Sequence, residues 1–549
     1  MAQREVQPLN TLQELLAFKD TPLVPVEHLR EVKRGGPQAP RTMFCHDMLG
    51  GYLEDRFIHG CTDPYSYRFH HWQIIDSFVY FTHHLVTIPP PGWISAGHLH
   101  GVKVLGTLHV ESLCGVKFFN EMRAFRLEKM LASQLARIAA LYRFDGWLVS
   151  VACKLDRSCV PVLKEFLCLV KEQTHSAVPG SLVIWYDSVV RDGKLAHQNR
   201  LNSKNVVFFD LCDGIFLNYD WTEEMLEKSA RYAHYRKSDV YVGIDVFARG
   251  TDYPGGFETY AAVEQVRKHG LSAGVFAAGW VYEMHGKDNF ADNQCRLWNF
   301  PDQLCNEWRL TTLPLKTGFC QGFGEKFYKD GRIASSIPWY NLAKQQLQPR
   351  DQGMGLCLGC GSATVDTTTA YNGGGCLRLQ FEPKEAGARP YFRLFGCELP
   401  LGTLSITYVY QPGCVDSVEH GFSIVLAVRS REGEKRTIRL GLAVTSPDEE
   451  RYAVVRDYGY SPFADQDMIG FYWFPRKYTV RDLSGNATLE EIGAAFESCA
   501  AYSCLLGELV VEQADGARAS NAEEDSDEGL DMASDEDDGN EPSAKLMRF

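Results

Sequence analysis

A chain of 549 residues, 45% hydrophobic and 12% aromatic, carries enough apolar side chain for a large core and is too long for a single one, so two or three domains are expected. Its formal charge of −14 is lopsided: residues 523–538 hold ten acidic and no basic side chains, and the rest of the chain is nearly balanced. The sequence shows no Lys/Arg stripe interleaved with aromatics and no apolar run near the roughly 20 residues a bilayer requires, which argues against a nucleic-acid groove and a membrane span.

Residues 1–43 are polar, mixed in charge and without a signal-peptide pattern, and are read as an N-terminal extension. With 17 scattered cysteines, an odd number, this predicts reduced thiols and a cytosolic protein. From about residue 77 to 322, short β-rich runs alternate with helical patterns, as consecutive βα units do. Eight runs are expected, beginning near Ser77, Val102, Asp145, Leu182, Gly214, Val240, Ala273 and Leu313, the number a (β/α)8 barrel needs. The clearest helix is predicted over residues 121–143, where Met122, Phe125, Met130, Leu131, Leu135, Ile138 and Leu141 follow a 3.6-residue period. Polar and aromatic residues gather where the strands end: His83 and His84, Glu111, Tyr186 and Asp187, Tyr219 and Trp221, Asp245, and Trp280 with Tyr282. Barrel enzymes build their sites at that end.

Weaker motifs accompany this pattern. His98-Leu99-His100 has two imidazoles but no carboxylate at ligand spacing, and Cys357-Leu358-Gly359-Cys360 is a lone CxxC, read as reduced loop thiols. Ser188, in Trp185-Tyr186-Asp187-Ser188, lacks the glycines of a nucleophile elbow. From about residue 355 to 515 short alternating strands separated by Gly and Pro predict a β-sandwich-like domain. Asn486-Ala487-Thr488 is a sequon that a cytosolic chain would leave unglycosylated. Residues 516–549 are acidic and poor in aromatics, and are expected to be a disordered tail whose partner the sequence does not name; Ser526 and Ser534 there precede acidic residues.

Several ordered blocks carry a family resemblance. They include Gly50-Gly51-Tyr52-Leu53-Glu54-Asp55-Arg56, Val104-Leu105-Gly106-Thr107, Phe144-Asp145-Gly146-Trp147-Leu148, Trp185-Tyr186-Asp187-Ser188-Val189, Asn218-Tyr219-Asp220-Trp221, Val240-Tyr241-Val242-Gly243-Ile244-Asp245 and Gly279-Trp280-Val281-Tyr282-Glu283. Through them the chain resembles the cytosolic endo-β-N-acetylglucosaminidases, the family 85 glycoside hydrolases. The resemblance implies a (β/α)8 barrel at residues 44–330, no cofactor or metal, and hydrolysis of the β-1,4 bond in the N,N′-diacetylchitobiose core of N-glycans. It also implies that the substrate's own 2-acetamido oxygen is the nucleophile, outside the usual two-carboxylate scheme. A strand Asn then orients the acetamido group, and a Glu two residues later serves as acid and base.

On this chain the Asn position is Ser150 and the Glu position is Ala152, two residues apart and therefore on one face of a strand. An alanine methyl can neither donate nor accept a proton. Ser112, where a Trp usually follows Glu111, and Cys153-Lys154-Leu155-Asp156 depart as well. Tyr186 stands at the family's acetamido-contacting tyrosine, and Glu111 at a site carboxylate. Asp187, Tyr219, Trp221 and Trp280 are expected to bind substrate. Three readings follow: an N-glycan-binding protein whose hydrolysis is strongly impaired, a hydrolase using Glu111 or Asp156 as a substitute acid, and a non-catalytic scaffold for protein contacts.

Overall fold

The computed structural model describes residues 4–19, 25–350, 361–382, 390–413, 421–446, 450–458, 473–496 and 501–514. The CxxC at Cys357 and Cys360, Ser526, Ser534 and the acidic tail lie outside them.

Eight parallel strands close a barrel: β1 (Thr42–His46), β2 (Ser77–Tyr80), β3 (Lys103–Glu111), β4 (Gly146–Ala152), β5 (Leu182–Tyr186), β6 (Gly214–Leu217), β7 (Val240–Asp245) and β8 (Ser272–Phe276). Each pairs in parallel with the next, and β8 returns to β1 through Ala273 opposite Thr42 and Phe276 opposite Cys45. The strands read as continuous apolar runs because both faces are covered. Met43, Cys45, Val79, Leu105, Leu148, Ile184, Phe216 and Tyr241 fill the barrel interior, while Val104, Trp147, Val149, Val151, Val183 and Val242 pack outward under the helices.

Two expectations need correction. The run near Leu313 is not a barrel strand: Leu315–Thr317 pairs antiparallel with Tyr502–Gln513 in the β-rich part, and β1 supplies the eighth barrel strand. The helix expected over residues 121–143 is two helices, Ser112–Phe125 and Glu128–Tyr142. Arg126 takes the left-handed conformation (φ 52°) between them, which ends the first helix although the apolar periodicity runs on. Met130, read as part of the buried stripe, is exposed.

Two mainly antiparallel sheets form the β-rich part. One runs through Tyr391–Pro400, Thr488–Phe496, Phe422–Arg429 and Lys435–Leu440; the other through Gly361–Asp366, Cys376–Phe381, Tyr502–Gln513, Thr403–Pro412, Phe474–Asp482 and Tyr452–Arg456. Their inner faces share one core, with Phe392, Ile424, Leu426, Ile406, Tyr408 and Leu506 among its buried members. The barrel and this part are stitched together: Val32–Lys33 pairs with Arg309–Leu310, which joins the sheet at Cys397.

His98 and His100 turn out to be structural. His98 Nε2 contacts Asp145 Oδ2 at 2.8 Å and its Nδ1 the Glu27 carbonyl at 2.8 Å. His100 Nδ1 donates to the Ala96 carbonyl at 2.7 Å, so its Nε2 carries the lone pair that accepts the Gln348 N–H at 2.9 Å. The cysteines among the described residues are all free.

Candidate functional site

Strand alternation decides which residues face the barrel mouth. On β3, Leu105 lies inside, so Thr107, His109 and Glu111 follow on that face; on β4, Leu148 lies inside, so Ser150 and Ala152 follow. The register sets His109 opposite Ser150 and Glu111 opposite Ala152, neighbours on adjacent strands with backbones about 4.8 Å apart. The same parity brings Phe81 and His83 past β2, Tyr186 from β5, Asn218 past β6, Asp245 from β7 and Phe276 from β8.

Ser150 is 2% exposed and Ala152 is half-buried. Aromatic side chains cover the interior above the lower layer: Tyr219 and Phe276 rings are 5.0 Å apart, Phe81 and Phe276 6.1 Å, and Tyr186 and Tyr219 6.5 Å. Glu111 sits at the rim with 42% of its side chain exposed, its Oε2 3.2 Å from His109 Nε2 and its Oε1 3.8 Å from His83 Nδ1. A cavity of about 400 Å³ opens beside these three, bounded by residues 10–13, His84 and the helix that begins at Ser112. Asp156, in contrast, is exposed in the loop that leads to the next turn, Arg157–Cys159.

Tyr186 is positioned by a relay of hydrogen bonds. Its hydroxyl donates to Asn218 Oδ1 at 2.7 Å, and Asn218 Nδ2 donates to Asn199 Oδ1 at 2.7 Å. The Asn199 backbone N–H donates in turn to Asp187 Oδ2 at 2.8 Å, and that carboxylate also accepts from the Gln198 N–H and Asn205 Nδ2. Asp187 is fully buried, and burial raises its carboxyl to about pH 6 although the donors pull the other way. In this structure Asp187 is buried and organises the loop behind Tyr186.

Trp221 is buried as well. Its ring is 3% exposed, stacks on Tyr253 at 4.6 Å, and its indole N–H donates to the Gly243 carbonyl at 2.7 Å. The Tyr253 hydroxyl in turn accepts the backbone N–H of Asp245, whose carboxylate is bidentate with Arg249. Trp221→Ala is expected to lower stability by about 3–5 kcal/mol, the range for emptying a buried Trp site, while leaving ligand affinity within a few-fold. Denaturant titration beside a binding curve checks this; a stable protein with lost affinity would return the ring to the binding face. Trp280, by contrast, is only partly buried, edge-on to Phe257 at 5.1 Å and to His285 at 4.8 Å, and retains an accessible flank.

Sequence reasoning missed His109 and Asn218. The signal for His109 was available: counting back by two from Glu111 along the strand puts it on the same face. The same count by two from Phe216 puts Asn218 on the interior face, but its partners Asn199 and Tyr186 meet it only in space.

A family model described as Glycosyl hydrolase family 85 matches residues 52–327. The chain is 42% identical to "Cytosolic endo-beta-N-acetylglucosaminidase" of Homo sapiens over 451 residues, 79% of this chain and 59% of that one. It is 46% identical to the Gallus gallus protein of the same name over 343 residues, 62% of this chain and 47% of that one. The chain thus spans about half the length of the curated relatives it matches. Among solved structures, the glycoside hydrolase domain of Endo-D from Streptococcus pneumoniae R6 is similar in fold, with a TM-score of 0.72 at 18% identity over 94% of this chain and 84% of that one.

Proposed function

The chain belongs to glycosyl hydrolase family 85, and from that membership we propose that it binds the N,N′-diacetylchitobiose core of N-glycans at the barrel mouth while hydrolysing it only weakly. One observation carries the reading: the interior face of β4 ends in Ser150 and Ala152, so the strand offers neither an amide to align an acetamido group nor a carboxyl to move a proton, while Tyr186 beside it is held by an intact relay. Losing a general acid costs roughly 10² to 10⁴-fold and losing a preorganised polar stabiliser roughly 10² to 10³-fold. The relatives carry the word cytosolic in their names, and no helix among the described residues is long and apolar enough to cross a membrane. Together these support a cytosolic protein meeting free or glycoprotein-derived oligosaccharides. The domain limits expected from sequence, with a barrel over 44–330 and a β-rich part over 355–515, belong to the same proposal.

Titration with a high-mannose glycopeptide tests it. Saturable binding with release far slower than from an active family member is expected, and Trp280→Ala should weaken binding by about 1–3 kcal/mol if its flank meets a sugar ring. Absence of binding would favour the scaffold reading instead. A second reading, catalysis with Glu111 as substitute acid, is favoured by its register directly opposite Ala152.

A further inference from the structure

We propose that His83, His109 and Glu111 form a binding site for a late first-row divalent cation of the zinc class, with a coordination position open to the rim cavity. The inference does not depend on glycan binding.

The donor set and spacing suit such an ion. Two borderline imidazoles and one hard carboxylate make up a donor set that zinc takes at sites that keep one position open. Donor atoms around a tetrahedral ion with bonds of about 2.0–2.1 Å stand roughly 3.3 Å apart. Here one ligand atom from each of the three residues lies within 4.8 Å of the others, and the two carboxylate oxygens reach the two rings separately, Oε2 3.2 Å from His109 Nε2 and Oε1 3.8 Å from His83 Nδ1, so small side-chain rotations would bring the donors to that spacing.

A second, independent observation concerns His109. It is 7% exposed, its Nδ1 has no hydrogen-bond partner, and its Nε2 has only the 3.2 Å contact with Glu111, a fellow member of the cluster. Buried polar atoms are nearly always satisfied, and one left unsatisfied at a cavity wall points to a water or an ion held there. Phe81 braces both imidazoles edge-on, with centroids 5.5 Å from His83 and 5.3 Å from His109. The cation that also lines the cavity, Lys117, stands 3.6 Å from Glu121 and is paired there.

The competing cluster, His70, His71 and Cys295, is less suited. Its two imidazoles are buried, and the buried Arg68 guanidinium acts on His70, where its charge disfavours a second cation.

The test uses the full chain, stripped with chelator and then titrated with Zn²⁺ by calorimetry and Co²⁺ by absorption. One equivalent is expected, with a cobalt spectrum lacking the sulfur-to-metal charge-transfer band of a thiolate site. His83→Ala and Glu111→Gln should each weaken the affinity by at least about 10-fold, whereas Cys114→Ser and Cys295→Ser should leave it unchanged. His83 is exposed, so its replacement should keep the fold, and circular dichroism of each variant checks this. No binding below millimolar ion, binding indifferent to both ligand variants, or binding lost with Cys295→Ser would overturn the proposal, the last by moving the ion to the core cluster.

Discussion

Replacing Ser150 by Asn and Ala152 by Glu together is expected to raise release of the glycan from a high-mannose glycopeptide by roughly 10² to 10⁴-fold over the unmodified chain. Both positions face the barrel interior on β4, so the two new groups would meet the same substrate atoms. The neighbour across the register helps: a carboxyl at position 152 would stand beside Glu111, and two carboxyls in one site push one of them toward the protonated form an acid requires. Ala152→Glu alone should recover less, since an acid accomplishes little while the acetamido group is unaligned. Rapid release by the unmodified chain would sink the impaired-enzyme reading; loss of that activity in Glu111→Gln would then identify the substitute acid. A double variant that binds glycan but stays inactive would trace the deficit to Ser112 and to residues 153–156.

The second large effect concerns pH. His46, His71 and His100 are buried, and burial pushes each imidazole down to about 3. A base whose folded pKa is depressed contributes stability that is present above its unfolded pKa near 6.5 and is lost as pH falls below it. Between pH 7.5 and pH 5 the cost is about 2 kcal/mol for each group, on the order of 6 kcal/mol for the three, set against total stabilities of roughly 5–15 kcal/mol. His70 acts in the same direction. Geometry gives the reason at His100, where a proton on Nε2 would turn the acceptor of the Gln348 N–H into a second donor. Asp187 opposes the trend: its carboxyl, raised to about 6, loses stability as pH rises through that value, so acidification to pH 5 returns about 1 kcal/mol. Denaturant midpoints at pH 7.5 and 5 decide the matter, and equal midpoints would show that these rings are solvated when folded.

Seven of the eight barrel strands were legible because fully covered parallel strands are written as runs of Val, Ile, Leu and aromatics. Thr42–His46 was not, since a five-residue run that begins with Thr and ends with Cys and His lacks that signature, and the Leu-Pro-Leu run at 313–315 filled its place in the count. The break at Arg126 was hidden for a different reason. Arginine announces no turn, and only the packing of two separate helices requires a left-handed residue there. At the site, the positions on β4 and β3 follow from alternation alone, whereas the packing of Trp221 and Asp187 depends on Tyr253, Gly243 and Asn205, partners that sequence distance conceals.

The closing pair of the barrel has a consequence for synthesis. Strand β1 can pair with β2 soon after both leave the ribosome, but its other edge has no partner until Ser272–Phe276 has been made. At about 5–20 residues per second that interval is on the order of ten seconds or more, during which an apolar edge strand stands open to pairing with other nascent chains. The barrel is not finished even then. Trp72 Nε1 donates to Gln345 Oε1, Gln73 Nε2 to the Gln348 carbonyl, and His100 accepts from the Gln348 N–H, so the segment after the barrel seals its outer wall. An excised barrel ending where the family match ends would strip those groups of their partners and uncover the wall around them, and the nascent chain faces the same exposure until ribosomes pass residue 348.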